Sequence, residues 1–569
     1  MTYTSELRNF DRELHASEAL TTGGLSPASL VGAYVDWAIH LVNQPGRRLA
    51  LAQEAWEDGF TMWKGFLGIS HEKPCAPKSG DHRFDYAGWQ HYPYSLIKQA
   101  FLSAEHWWES ATVNVQGVSA NHERIVSFTA RQLLDMLAPS NNPILNPEVL
   151  AVTMAQRGEN IRTGLEHFLD DLAVSLQQDS APLPLQPGKE VAITAGAIVF
   201  RNHLIELIQY APKTDLVRPE PLLIVPAWIM KYYILDLRPE DSLINFLVQQ
   251  GYSVFCISWR NPGPADREVN LEDYRKLGVM KAIDAICAIT GSQKLHATGY
   301  CLGGTLLAVA AAAMARDHDP RIASITLLAA QTDFTEAGEL QLFINEAQLA
   351  FLDDIMWQRG YLGAKQMAGA FQMLRSNDLV WSRLVRRYFL GLEDEPNDLM
   401  SWNMDATRMP YRMHSEYLWH FFQNNNLAEG RFPVAGRPIS LNDIEVPFFV
   451  VGTETDHVAP WRSVHKIHLL NAGAISFVLT SGGHNAGIVS EPGHANRRYK
   501  FYERRRHGKY LGPDDWLQVA TPFEGSWWPA WARWLNNHSS AATQPPAMGK
   551  TDAGYKPLCA APGTYVLQR

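Results

Sequence analysis

Apolar and polar positions follow one rhythm in the first third of the chain and another afterwards. Up to about residue 190, apolar side chains recur at helical spacing, as in Ser29–Val42 and Ile125–Leu137. Residues 1–190 are therefore predicted to form a mostly helical domain. Asn146-Pro147-Glu148 has the composition of a helix N-terminus. Ala181–Lys189 contains three prolines and a Pro-Gly pair, which is typical of a linker, and we place a domain boundary there.

From residue 191 onwards, short apolar runs alternate with amphipathic segments, which predicts an α/β domain over residues 191–569 with a mainly parallel sheet. The predicted strands are Pro221–Pro226, Ser253–Trp259, Ile322–Ala330, Val446–Gly452 and Ile475–Thr480. The predicted helices are Asp241–Gln250, Leu271–Thr290 and Thr305–Ala315. Within the second helix, Leu277, Met280, Ile283 and Cys287 are predicted to share one apolar face.

Residues 333–441 interrupt this alternation with a block rich in helix formers, Met, Trp and Tyr. Because the block lies between two core strands, it is predicted to be a helical cap over a catalytic site. A separate helical domain is the alternative that the sequence leaves open. Near the end of the chain, the aromatic segment with Trp527, Trp528, Trp531 and Trp534 is predicted to be helical, and the proline-rich residues 544–563 are predicted to lie along the surface.

Composition narrows the class of protein. The chain has 569 residues, 46% of them hydrophobic, so it can bury a large core. Its 50 basic and 59 acidic residues give a net charge of −9, which disfavours nucleic acid as a partner and suits a cytoplasmic protein. Met1–His15 carries no apolar signal-peptide core, and no apolar stretch is long enough to predict a transmembrane helix.

The five cysteines, at positions 75, 256, 287, 301 and 559, never form a C-x-x-C pair. This spacing favours a reducing compartment and predicts neither a zinc knuckle nor another metal site. The 18 tryptophans leave room for a surface that docks on something apolar.

The strongest chemical signal is Lys294–Thr305, which reads as a strand, a turn of the form G-x-C-x-G-G and the start of a helix. This is the nucleophile elbow of α/β-hydrolases with Cys301 in the place of the usual serine. Glycines let the backbone and the following helix pass closely beside the nucleophile, and the helix N-terminus favours negative charge on it. The alternative is a glycine-rich turn that holds a buried, inert cysteine.

A base and an acid follow in the order that an α/β-hydrolase triad requires. Asp456 comes in a polar loop after the predicted strand Pro447–Gly452, and His484 comes after the strand Phe477–Thr480. We therefore predict Cys301 as nucleophile, His484 as general base and Asp456 as the acid that orients the base. Leu302 is predicted to supply one oxyanion-hole N–H, and Trp228 or Ile229 the second.

Other residues offer weaker alternatives. Glu454 is a second candidate for the acid, and His457 is predicted to have a supporting role. His465 and His468 have the spacing of a metal pair but lack a third ligand, so they are predicted to form a solvated or structural helix face. Gly549-Lys550-Thr551 lacks the first glycine and the preceding strand of a P-loop.

Around these motifs the chain resembles the poly(3-hydroxyalkanoate) synthases, which polymerise hydroxyacyl-CoA thioesters into storage polyester. The stretches that carry the resemblance are Asp81–Phe84, Asn141–Glu148, Pro221–Leu237, Ser258–Pro262, Gly299–Gly304, Gly360–Ala368, Asn377–Trp381, Trp402–Asp405, Asp456–Trp461 and Tyr555–Val566. The resemblance implies that Cys301 carries the acyl chain, that His484 is the general base and that Asp456 orients or assists it. Two features depart from or refine the pattern: the loop reads Ser-Gly-Gly-His where Ser-Gly-His is more usual, and the small Ala486 is more similar to the short-chain group.

The same resemblance implies a (R)-3-hydroxyacyl-CoA substrate, a growing polyester chain and no cofactor, since coenzyme A is part of the substrate and a product. It implies a single-subunit enzyme that forms a homodimer and associates with cytoplasmic polyester granules and granule-associated proteins, with the N-terminal region serving these contacts. A cysteine thioesterase or polyester depolymerase is the alternative among enzymes. A non-catalytic granule-associated protein is the alternative from another class.

Overall fold

The computed structural model describes residues 5–22, 24–67, 69, 75–78, 80–176, 183–364, 366, 376–393 and 397–569. Ala181 and Pro182 of the predicted linker lie outside the described residues, as do Lys365, Met367 and Ala368 of the resembling stretch Gly360–Ala368. The chain divides into two compact units. We call them the sheet unit (Met1–Ala16, Pro182–Lys365 and Pro396–Arg569) and the helical unit (Ser17–Ala181 and Gln366–Glu395).

The first seven helices lie in the helical unit, except that the N-terminal part of the first belongs to the sheet unit. They are α1 (Ser5–Thr22), α2 (Pro27–Val42), α3 (Pro45–Phe66), α4 (Tyr94–Thr112), α5 (Ala120–Met136), α6 (Pro147–Ala155) and α7 (Glu159–Leu176). The predicted cap at Asn146 is present, because its side chain accepts the N–H of Glu148 at 2.9 Å. Ala33 on α2 packs against Ile125 and Val126 on α5 in a small apolar core.

Arg83 joins three segments of the helical unit. Its guanidinium donates to Asp81 at 2.9 Å, to Glu105 on α4 at 2.8 Å and to Asp135 on α5 at 3.1 Å. All four side chains are largely buried. Planar, multidentate guanidinium bonding explains why arginine suits this position of the Asp81–Phe84 stretch better than lysine.

The predicted 333–441 insertion is divided between the two units. Residues 376–393 pack on α7 of the helical unit, where Asn160 donates to the carbonyl oxygen of Phe389 at 2.7 Å and Arg387 donates to Asp171 at 2.8 Å. A Cβ at Gly164 would overlap the carbonyl oxygen of Tyr388. Residues 333–364 and 397–441 belong to the sheet unit.

Eleven strands of the described chain form one mixed sheet. They are β1 (Gly196–Arg201), β2 (Ile205–Tyr210), β3 (Leu222–Val225), β4 (Val254–Trp259), β5 (Leu295–Tyr300), β6 (Ile322–Leu328), β7 (Phe448–Thr453), β8 (Ile475–Thr480), β9 (Arg498–Arg504), β10 (Thr521–Glu524) and β11 (Cys559–Ala560). Their spatial order is β10-β9-β8-β7-β6-β5-β3-β4-β2-β1-β11. Neighbours from β8 to β4 pair in parallel and the pairs at both edges are antiparallel. The predicted α/β-hydrolase fold with a mainly parallel central sheet is confirmed.

Further helices belong to the sheet unit. They are α8 (Leu243–Gln249), α9 (Lys281–Thr290), α10 (Leu302–Arg316), α11 (Glu346–Arg359), α12 (Asp398–Met404), α13 (Tyr411–Tyr417), α14 (Trp461–His465), α15 (Ile467–Leu470), α16 (Pro513–Val519) and α17 (Trp528–Asn537). Two-stranded pairs Tyr361–Leu362 with Met409–Pro410, and Pro433–Val434 with Arg437–Pro438, lie outside the main sheet. All residues of β3, β4, β5, β7 and β8 are buried, as parallel strands between two helix layers require.

The predicted apolar face of Leu271–Thr290 is wrong in part. Tyr274–Met280 forms a π-helical segment between Leu271–Asp273 and α9, and the wider turn shifts the following residues around the helix. Leu277 is therefore 37% exposed, whereas Val279 and Ile283 are buried.

The aromatic end of the chain is part of the core. Trp527, Trp528 and Trp531 are buried, and Trp531 Nε1 donates to Thr326 Oγ1 of β6 at 2.9 Å. The proline-rich tail does more than follow the surface, because β11 pairs with β1 at the sheet edge. Over the residues that the structure describes, no helix is long and apolar enough to cross a membrane.

Candidate active site

Cys301 stands at the turn between β5 and α10, with φ 52° and ψ −125°. A side chain held at positive φ is strained, and such strain is tolerated where the surrounding structure fixes the backbone. Three neighbouring glycines make that possible. A Cβ at Gly303 would lie 2.5 Å from the carbonyl oxygen of Pro226, one at Gly299 would lie 2.7 Å from the backbone nitrogen of Gly304, and one at Gly304 would overlap Ala330.

Asp456 and His484 meet beside this turn. His484 Nδ1 donates to Asp456 Oδ2 at 2.8 Å, and the imidazole lies close enough to Cys301 for the charge of the thiolate to act on it. The Asp456 side chain is fully buried, and that of His484 is 10% exposed. The structure therefore brings together the three residues that the sequence selected, on loops that follow β5, β7 and β8.

Both carboxylate oxygens of Asp456 accept hydrogen bonds. Oδ1 accepts the backbone N–H groups of Val458 at 2.9 Å and Ala459 at 2.8 Å. Oδ2 accepts the hydroxyl of Thr453 at 2.8 Å in addition to His484. Four donors on one buried carboxylate fix its orientation and keep it ionised.

These contacts shift the protonation of both partners. Burial alone would raise the pKa of Asp456, but the charge of His484 and the donated hydrogen bonds lower it below its ordinary value. Burial alone would lower the pKa of His484, but the charges of Asp456 and Cys301 raise it well above its ordinary value. Displaced pKa values in one contacting group are typical of catalytic sites.

Three parts of the chain match protein-family models. Residues 5–47 match the poly-beta-hydroxybutyrate polymerase N terminal, residues 80–247 match the poly-beta-hydroxybutyrate polymerase (PhaC) N-terminus, and residues 220–491 match the alpha/beta hydrolase fold. A poly(3-hydroxyalkanoate) polymerase of Methylorubrum extorquens is 40% identical over 537 residues, which cover 92% of this chain and 87% of that protein. The chain belongs to the poly(3-hydroxyalkanoate) polymerase family.

A second relative supports the same assignment. The poly(3-hydroxyalkanoate) polymerase subunit PhaC of Cupriavidus necator is 34% identical over 495 residues, covering 85% of this chain and 83% of that protein. Family membership and the α/β-hydrolase fold make the chain an acyl-transferring enzyme.

In this member of the polymerase family, the C-terminal aromatic segment supports the loop that carries His484. Trp527 Nε1 donates to the carbonyl oxygen of Gly487 at 3.0 Å, and Trp528 Nε1 donates to that of Ile488 at 2.9 Å. The additional glycine of Ser-Gly-Gly-His has a conformational reason, because Gly482 has φ +102°.

The alternative residues take other positions. Glu454 forms an ion pair with Arg498 at 2.8 Å. The carbonyl oxygen of His457 accepts the N–H of Glu339 at 3.2 Å. His465 and His468 are not solvated, because both are buried with ring centroids 4.5 Å apart, so of the predicted alternatives the structural helix face is the one observed.

The predicted oxyanion donors lie on two segments. Leu302 is the first residue of α10, where an N–H has no intrahelical acceptor. Trp228 and Ile229 follow β3, and within the described part of the chain their N–H groups donate no hydrogen bond. Thr407 fixes this segment by donating its hydroxyl to the carbonyl oxygen of Trp228 at 2.7 Å and its N–H to that of Ile229 at 3.4 Å.

A cavity of about 350 Å³ lies beside Trp228. Its wall includes Leu306 and Val309 of α10, Phe421 and Phe432. The wall also includes the charged Glu272, Arg275 and Glu416, and it includes none of Cys301, Asp456 and His484.

Sequence reasoning missed several residues that support the site. Thr453 and Thr407 carry no motif that distinguishes them from other threonines. Tyr300 precedes the nucleophile, and its hydroxyl donates to Asn485 Oδ1 at 2.6 Å beside His484. Its place next to Cys301 was the only signal in the sequence that marked it.

Proposed function

We propose that the chain polymerises (R)-3-hydroxyacyl-CoA into poly(3-hydroxyalkanoate), with release of coenzyme A, through an acyl-Cys301 intermediate. The observation that carries the proposal is the buried Asp456–His484 pair beside Cys301 at the elbow of a chain from this polymerase family. The proposed partners are the hydroxyacyl-CoA substrate and the growing polyester, with a homodimer at cytoplasmic granules and contact with granule-associated proteins. No cofactor is needed, since coenzyme A enters with the substrate.

In the loading step, His484 takes the thiol proton and the Cys301 thiolate attacks the carbonyl carbon of the CoA thioester. The oxyanion is stabilised by the N–H of Leu302 and by an N–H of Trp228 or Ile229. The carbon–sulfur bond to coenzyme A breaks, and the leaving thiolate takes the proton from His484. One thioester replaces another, so the step has little thermodynamic cost.

In the elongation step, His484 takes the proton of the 3-hydroxyl of another unit, and the alkoxide attacks the acyl-Cys301 carbonyl. The carbon–sulfur bond to Cys301 breaks, an ester forms, and the proton returns to the thiolate. Asp456 keeps Nδ1 protonated, so that Nε2 of His484 faces the reacting atoms. Exclusion of water from the thioester favours ester formation over hydrolysis.

The proposal is tested by incubating the purified full-length chain with 3-hydroxybutyryl-CoA. Released coenzyme A, free 3-hydroxybutyrate and insoluble polymer are measured together. We expect coenzyme A and polymer from the unmodified chain and from the matched control Cys287→Ala, and neither from Cys301→Ala. Coenzyme A with free acid and no polymer would indicate a thioesterase, and no turnover at all would favour a non-catalytic granule-associated protein.

A trapping experiment tests the intermediate. A CoA thioester whose acyl group lacks the 3-hydroxyl supports loading but not elongation. We expect mass spectrometry of the intact chain to find one added acyl group, on the peptide that contains Cys301. An acyl group on any other residue would overturn the assignment of the nucleophile.

A further inference from the structure

A cluster of side chains in the helical unit combines sulfur, nitrogen and oxygen donors. The Cys75 sulfur, a ring nitrogen of His106 and a carboxylate oxygen of Asp58 lie within 4.8 Å of one another. The three residues come from α3, from the segment before α4 and from α4. A fourth group, Glu54, lies one helical turn before Asp58 and therefore on the same face of α3.

Each donor is held toward the cluster by further contacts. The Cys75 thiol donates to Asp58 Oδ2 at 3.8 Å, and the Ser103 hydroxyl donates to the Cys75 sulfur at 3.7 Å. His106 Nδ1 lies 2.8 Å from Glu54 Oε1. A carboxylate that accepts one ring N–H leaves the other ring nitrogen with its lone pair free for a cation.

The negative charge of the cluster favours binding of a cation. Asp58 and Glu54 are carboxylates, and the neighbouring Lys78 forms its ion pair with Glu109 at 2.7 Å. A bound divalent ion would offset the negative charge of these two carboxylates.

The donor set selects the metal. A thiolate with an imidazole and carboxylates suits Zn²⁺, whereas Mg²⁺ and Ca²⁺ prefer oxygen ligands alone. Zn²⁺ bonds of about 2.0–2.3 Å place tetrahedral ligands about 3.3–3.8 Å apart. The ligand atoms, which lie within 4.8 Å of one another, can approach these distances by rotation of the His106 side chain, which is 57% exposed.

We propose that Cys75, His106 and Asp58 bind a zinc ion, with Glu54 as the carboxylate that orients His106. The ion would cross-link α3, α4 and the segment between them. This site differs from the expectation drawn from the cysteine spacing, because its ligands are far apart in sequence and contain a single cysteine. It is independent of the proposed polymerase chemistry.

Cobalt(II) is the probe, because thiolate-bound Co²⁺ has a ligand-to-metal charge-transfer band in the near ultraviolet. The full-length chain carries Cys301→Ala, which removes the other reactive thiol, and is stripped of metal with a chelator before titration. We expect one Co²⁺ per chain with this band, displacement by one equivalent of Zn²⁺, and a higher melting temperature with either metal.

Variants identify the ligands. Cys75→Ser should lose the band, and Glu54→Gln should weaken Zn²⁺ affinity about 10–100-fold. The exposed His106→Gln should weaken it at least tenfold with an unchanged circular dichroism spectrum, so that loss of binding is separated from loss of folding. Cys287→Ser is the matched control and should bind as before. A band that survives Cys75→Ser, equal loss in the control, or no saturable binding would overturn the proposal and leave an adventitious ion only.

Discussion

Replacing Asp456 with asparagine keeps the shape of the side chain and removes its charge. The two backbone N–H groups of Val458 and Ala459 both donate to Oδ1, so the carbonyl oxygen of the asparagine must take that position. Its NH₂ group then takes the Oδ2 position and donates to His484 Nδ1. The imidazole is thereby held as the tautomer with its proton on Nε2, which cannot accept the thiol proton of Cys301.

We expect Asp456→Asn to lower the rate of coenzyme A release about 10⁴-fold, the size of effect that the same change has in serine-protease triads. At about 1.36 kcal/mol per decade this is about 5 kcal/mol of transition-state stabilisation. The assay follows thiol release from 3-hydroxybutyryl-CoA at saturating substrate. Glu454→Gln is the matched control, because it removes a carboxylate of the same loop that pairs with Arg498, and it should keep activity within about threefold.

A loss of activity below tenfold in a folded Asp456→Asn variant would refute this account of the acid. A loss above threefold in the Glu454→Gln control would refute it as well. Folding is checked by circular dichroism and by the melting temperature. A pH profile adds a second check, because a wrong tautomer lowers the rate at every pH, whereas an altered protonation equilibrium displaces the profile.

Three further changes test other parts of the structure. Gly303→Ala places a Cβ 2.5 Å from the carbonyl oxygen of Pro226 and should lower the free energy of unfolding by about 3 kcal/mol. The control Gly32→Ala, on the open surface of α2, should raise the free energy of unfolding by about 0.5–1 kcal/mol. Denaturant titration measures both changes. Burial lowers the pKa of His465 to about 4. The neutral imidazole therefore costs the fold no free energy above the unfolded pKa of about 6.5, whereas the free energy of unfolding falls as the pH drops towards 4. His465→Leu should recover up to about 3 kcal/mol at pH 4 in the same titration. Lys231 Nζ donates to the carbonyl oxygen of Gln568 at 2.5 Å, so Lys231→Met should make carboxypeptidase trim the C-terminus at least tenfold faster, and an unchanged rate would show that this bond does not hold the tail.

The central sheet and the three proposed catalytic residues were predictable because their signals are local. Asp456 and His484 each follow a short apolar run typical of a buried strand, and Cys301 lies in a glycine-rich turn between a strand and a helix. Their order along the chain then determines which strand ends they occupy. Ile475–Thr480 was predicted with the bounds that the structure gives.

The features that escaped prediction depend on distant partners. Thr407 fixes the carbonyl oxygens of Trp228 and Ile229 across the fold, and nothing near it in sequence indicates this. The π-helical turn that exposes Leu277 depends on packing that periodicity does not report. The edge strands β1 and β11 pair segments that are far apart in sequence, a contact that no local pattern encodes.

That last pairing affects the order of events during synthesis. β11 is made after every other strand of the sheet, yet it pairs with β1, which is made before any other strand of the sheet. Glu206 on β2 is fully buried and accepts the N–H groups of Thr564 and Tyr565, each at 2.9 Å. Until those residues leave the ribosome, the nascent chain carries an unpaired sheet edge, which is a template for aggregation, beside a carboxylate that has only the Arg201 donor. The sheet is therefore completed only after all of its other strands have been made.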